Sequence, residues 1–222
     1  PPPMTATVHD IRPGAAAARL CYAIDRAGSP ICVGLDPVLD RLEPEFQDRP
    51  APEAFELFGR AVLDGAAGAA PAVKFQSACY ERWGSAGIRA LERSIRAARA
   101  LGFVVVLDAK RGDIGVSAAH YAAAAAGAGA DWVTVNAYLG TETIEPFLEA
   151  GLGVFALART SNPGSDELQN LHLQSGATVA EQVATNLSRL GKQRRGKRGL
   201  SDVGAVVGAT KAADGPALRG AA

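Results

Sequence analysis

Six short, largely apolar runs constrain this chain more than any other feature: ICVGL (31–35), AVKFQ (72–76), FVVVLDAK (103–110), WVTVN (132–136), VFALA (154–158) and VGAVVGA (203–209). A strand with one wet face alternates apolar and polar residues, whereas runs like these read as strands buried on both faces. Between them lie stretches of helical pattern near 53–69, 86–101, 117–127, 142–150 and 178–190. In the second, Ile88, Leu91, Ile95 and Ala98 share a stripe with arginines opposite, and Gly102 follows as a stop. Alternation of this kind implies a parallel sheet covered by helices, either open and doubly wound or closed as a (β/α)8 barrel.

The polar residues at the strand ends separate these two. Asp36, Lys74, Asp108 with Lys110, Asn136 and the RTSN after Ala158 each stand at or near the end of a different run. An open sheet gathers its chemistry in one crevice, while a barrel spreads it over many strand ends. The expected fold is therefore α/β, a TIM (β/α)8 barrel. Only six strand–helix units are countable, and the tail KAADGPALRGAA holds no strand pattern, so the last two units are not recognisable. Residues 1–18 read as an N-terminal extension, in part a tag ahead of Met4. Residues 19–222 read as a single barrel domain whose C-terminal part is incomplete.

Composition removes several function classes. Lys plus Arg equals Asp plus Glu at 23 each, which leaves no global basic footprint for nucleic acid or anionic lipid. The three cysteines, Cys21, Cys32 and Cys79, are odd in number and lack CxxC spacing, against a disulfide framework or zinc site and in favour of a reducing cytoplasm. No run approaches the roughly 20 apolar residues of a membrane span. His9, His120 and His172 lack ligand spacing, so no metal is expected. The basic run KQRRGKR (192–198) reads as a solvated loop, and RGD (111–113) as a chance tripeptide.

One block resists a purely structural account. In FVVVLDAKRGDIG (103–115), a buried strand finishes in Asp108, Lys110, Arg111 and Asp113. Residues two apart share a strand face, so Asp108 and Lys110 follow Val104 and Val106 onto the inward side. Lys74 interrupts another apolar run and needs a carboxylate partner, which Asp108 and Asp113 are expected to supply. Two lysines interleaved with aspartates form a neutral array that can hold a carboxylate-bearing substrate against a proton donor.

DAKRGDI fits D-x-K-x-x-D-I, the signature of the orotidine 5′-phosphate decarboxylase family. GLDP, VKFQSACYERWG, TVNAYLG, ARTSNPGSDELQN and VGAVVGAT resemble the same family in order, from about residue 19 to 210, and most closely its longer bacterial branch. The resemblance implies metal- and cofactor-free conversion of orotidine 5′-phosphate to UMP and CO2 in pyrimidine biosynthesis. It implies a catalytic array of Lys110 (the proton donor), Asp108, Asp113 and Lys74. It implies substrate contacts from Asp36 to the ribose and Ser161 to the pyrimidine, with Ile114, Ser117 and Asn136 nearby. It further implies a homodimer in which Asp113 completes the neighbouring site. The family's glycine-rich segment and phosphate-gripping arginine have no match, and Arg219 lacks their context. The alternatives are a magnesium-dependent sugar-phosphate decarboxylase or aldolase of the same superfamily, whose acidic ligand beside Lys74 is missing, or a non-catalytic homologue.

Overall fold

The structure, a computed structural model, describes residues 10–221; Pro1–Pro3, Met4 and His9 lie outside them. Six strands, Cys32–Leu35 (β1), Ala72–Gln76 (β2), Val104–Arg111 (β3), Trp132–Asn136 (β4), Gly153–Arg159 (β5) and Val203–Val207 (β6), form one sheet in the order β1-β2-β3-β4-β5-β6. All neighbours are parallel. Each strand lies beside its predecessor, so the sheet advances in one direction as a barrel does. A doubly wound sheet would reverse its strand order at a switch point. Among the described residues the sheet stops at six strands, with β1 and β6 as its edges.

Two apolar layers follow from strand alternation. Val73, Phe75, Val105, Leu107, Val133, Val135, Val154 and Ala156 point outward into the main core, against Phe55, Leu63, Leu91, Ile95, Ala122, Phe147 and Leu187 of the surrounding helices. Full burial of such a side chain stabilises by roughly 1.5–3 kcal/mol. The helix Gly84–Ala100 presents Leu91, Ile95 and Ala98 to this core, while Ile88, in its second turn, remains 37% exposed. Gly102 ends the segment at φ +85°, as its position in the sequence suggests.

The inner layer is smaller. Ala72, Val104, Val106 and Trp132 pack with Ala16, Ala17 and Ala23, flanked by Phe155. The Trp132 and Phe155 rings stack at 4.5 Å, and a Cβ on Gly153 would lie 2.4 Å from the Trp132 ring. Ala16, Ala17 and Ala23 belong to a helix, Ala15–Ala27, that crosses the boundary expected at residue 18. It closes the N-terminal end of the partial barrel. Its N-terminus is capped from far away: Asp202, ahead of β6, accepts from Gly14 N–H at 2.7 Å and Ala17 N–H at 2.8 Å. The basic run packs at this same end. Gly196 lies against Gly14, and Arg198 pairs with Asp25 at 2.6 Å.

Higher up the same inward face the chemistry changes. Ala72 is succeeded by Lys74 and Gln76, Val106 by Asp108, and Trp132 by Thr134 and Asn136. The fold has an apolar floor and a polar mouth.

Candidate active site

Asp108 is the centre of the mouth, 6% exposed at the end of the apolar half of β3. Lys110 Nζ donates to its Oδ1 at 2.6 Å, and Thr134 Oγ1 donates to the same oxygen at 2.7 Å. Lys74 Nζ lies 3.3 Å from Oδ2, and Gln76 Nε2 donates to that oxygen at 3.4 Å. Lys74 also donates to Asp36 Oδ1 at 2.8 Å. The result is a continuous alternating line, Asp36–Lys74–Asp108–Lys110, contributed by three neighbouring strands. A buried carboxylate is tolerated when its lone pairs are used in this way.

The protonation states follow from the contacts. Burial opposes ionisation of Asp108. Hydrogen bonds from Lys110 and Thr134, with the charges of Lys74 and Lys110, outweigh it and hold the carboxyl below its usual range. For Lys74, burial works against the ammonium, but the hydrogen bond and charge of Asp36 and the charge of Asp108 raise its pKa. Both groups are therefore charged near neutrality.

The alternation argument needs one amendment. Asp108 and Lys110 do meet, but not on a regular strand. β3 pairs Leu107 with Val133 and Arg111 with Val135, a register shift that bulges the intervening residues. Within it Lys110 has φ +48°, the one described non-glycine residue in the left-handed region. Its backbone N–H donates to Thr134 Oγ1 at 2.9 Å. Arg111 then points away from the mouth, paired with Glu81 and set over the Tyr121 ring at 5.1 Å.

Lys74 takes Asp36 and Asp108 as partners. Asp113, the other carboxylate expected for it, accepts only from Ile114 N–H, at 2.8 Å, and makes no ion pair among the described residues. Ile114 and Ser117 are exposed beside it, at the start of the Gly115–Ala128 helix. Asn136 lies at the β4 end, where its side chain accepts from Tyr138 N–H at 3.0 Å and caps the following turn. Ser161 is exposed after β5, on a loop tied down from two directions. Arg159, 2% exposed, bonds Ser165 at 2.9 Å, Asp214 at 2.7 Å and also Asp166. Thr210 Oγ1 donates to Ser161 O at 3.0 Å. Gly208 passes so close that a Cβ there would lie 2.8 Å from Ser161 N.

Neither Thr134 nor Gln76 was singled out in the sequence, and Arg159 was so only as the first residue of the RTSN at a strand end. The first two were findable, because the two-residue period that selects Asp108 also puts Gln76 two after Lys74 and Thr134 two after Trp132 on the inward face. The tethering role of Arg159 carried no such signal, since its partners come from loops.

Known proteins share this sequence and this fold. Residues 29–220 match the model of the orotidine 5′-phosphate decarboxylase / HUMPS family, extending past the last segment recognisable by eye. An orotidine 5′-phosphate decarboxylase of Rhodopirellula baltica is 39% identical over 87% of this chain and 70% of that protein. One from Streptomyces coelicolor is 41% identical with the same two coverages. The structure of Leishmania donovani OMP decarboxylase superposes with a TM-score of 0.78 at 33% identity, covering 93% of this chain and 76% of that one. With a match across nearly its whole length, the chain belongs to the orotidine 5′-phosphate decarboxylase / HUMPS family.

Proposed function

We propose that this protein decarboxylates orotidine 5′-phosphate to UMP in pyrimidine biosynthesis, with the Asp36–Lys74–Asp108–Lys110 line as its catalytic core. That line carries the reading. The C6–carboxylate bond breaks, CO2 leaves, and the bonding electrons stay on C6. The Lys110 ammonium stabilises this developing charge and gives C6 its proton. Asp108, held ionised, stands against the substrate carboxylate and orients Lys110. Asp36 is suited to a ribose hydroxyl and Ser161 to the pyrimidine edge, with Asn136 shaping the rim. The magnesium-dependent alternative is disfavoured by what the carboxylates already hold: Lys74 Nζ sits 2.8 Å from Asp36 and 3.3 Å from Asp108, where a divalent cation would need them.

A homodimer is part of the proposal. Asp113 makes no ion pair among the described residues, and exposed apolar side chains follow it in the chain, Ile114 at 62% and Val116 at 74%, with Tyr138 at 74% after β4. Such a patch suits a second copy of the chain. A cytoplasmic setting agrees with three free thiols, and no described helix is long and apolar enough to cross a membrane.

Loss of orotidine 5′-phosphate absorbance, followed with the chain and with Lys110→Ala, tests the activity; no turnover by the unaltered chain refutes it. Activity abolished by EDTA and restored by magnesium would favour the metal-dependent reading. Co-refolding inactive Lys110→Ala with inactive Asp113→Ala tests the shared site. If Asp113 serves its neighbour, mixed dimers regain about a quarter of the sites. No recovery places Asp113 in its own subunit.

A further inference from the structure

Thr134 occupies the middle of the inward face of β4 and is 5% exposed. A hydroxyl so buried is costly unless it is bonded, and valine would fill the space without that demand. Here both roles of the hydroxyl are used. It accepts from Lys110 N–H at 2.9 Å and donates to Asp108 Oδ1 at 2.7 Å.

These two bonds meet at one residue. The register shift between Leu107 and Arg111 takes Lys110 out of regular pairing with β4, and Thr134 receives the freed N–H. Lys110 is held at φ +48°, a conformation unfavourable for a residue with a Cβ and maintained only by its surroundings. Its side chain then returns to Asp108 Oδ1 at 2.6 Å. Lys110 N, Thr134 Oγ1, Asp108 Oδ1 and Lys110 Nζ thus close a ring. One hydroxyl restrains the lysine at its backbone and, through Asp108, at its tip, while Oδ2 is left for Lys74 and Gln76.

We infer that Thr134 is a positioning residue for the decarboxylation, its hydroxyl holding Lys110 in the left-handed bulge so that Nζ is aimed before substrate arrives. The inference rests on the function proposed above. A one-ångström misplacement of a reacting group can cost two orders of magnitude in rate, so a single hydroxyl is sufficient to matter.

Thr134→Val and Thr134→Ser in the full chain test it through two readouts, steady-state kinetics and NMR hydrogen exchange at the Lys110 amide. Thr134→Val should lower kcat about 10²-fold with KM within about 3-fold, and should lose protection at that amide. Thr134→Ser should restore both. If the valine variant does not fold, Thr134→Ala takes its place. Wild-type kcat in Thr134→Val, a loss that serine does not restore, or an amide still protected without the hydroxyl would each overturn the inference. An unaltered chain without turnover would instead refute the proposed activity, and exchange protection, which needs no substrate, then decides whether Thr134 holds Lys110.

Discussion

Replacing Asp202 by alanine should destabilise the fold while leaving its chemistry intact. The carboxylate joins the two ends of the sheet order: it sits just before β6, and it caps the helix that leads into β1. Gly14, at φ +78°, offers that helix no side-chain cap of its own. Alanine would strand the N–H groups of Gly14 and Ala17, both in buried residues. Losing a cap costs about 0.5–2 kcal/mol, and a stranded buried donor about 1–3 kcal/mol. A cleft of about 630 Å³ bordered by Arg12, Gly14, Ala17 and Arg198 gives water access, which argues for the lower end. The expected loss is about 2–3 kcal/mol, with Asp202→Asn, which keeps one acceptor, losing roughly half. Urea unfolding followed by tryptophan fluorescence measures it, since Trp132 packs in the same inner layer as Ala16 and Ala17. The midpoint should fall at constant slope, and Tm should drop by about 5–10 °C. A loss below about 1 kcal/mol would mean that water replaces the carboxylate and would refute the reasoning. A change in kcat or KM in the folded variant would also count against it, because Asp202 lies at the end of the barrel opposite Asp108.

Two further outcomes test the mouth. Arg159→Lys cannot reproduce the fork that reaches Ser165 and Asp214 together, so the loop bearing Ser161 loosens; KM for orotidine 5′-phosphate should rise more than kcat falls, and equal kinetics would refute the tether. Stability should also follow the charged line through pH. The depressed Asp108 contributes above its unfolded pKa of about 3.9 and is lost as pH falls through its folded value. The raised Lys74 contributes below about 10.4 and is lost as pH rises through its folded value. Urea midpoints across pH should show both limbs, with Asp108→Asn flattening the acid one and Lys74→Met the alkaline one.

The strands were legible because their pattern is local. WVTVN and AVKFQ fall on β4 and β2 residue for residue, and each remaining run lies within two residues of its strand. Asp108, Lys110 and Lys74 were legible for the same reason, since a charge inside an apolar run conflicts with its burial whatever the remainder of the chain does. The helix Ala15–Ala27 was missed because its buried face is mostly alanine and its cap lies 188 residues away.

The sequence by itself therefore determined the six strands, the barrel-like order of chemistry along them, and the charged residues at its centre. Only the tertiary structure decided which charges meet. It gave Lys74 to Asp36 and Asp108, left Asp113 with no ion pair among the described residues, and bent Lys110 into a bulge held by a threonine on the next strand. The physical reason is range. Hydrophobic period is a property of neighbours in the chain, whereas a hydrogen bond or ion pair a few ångströms long depends on the register between strands, and register exists only once the sheet has formed.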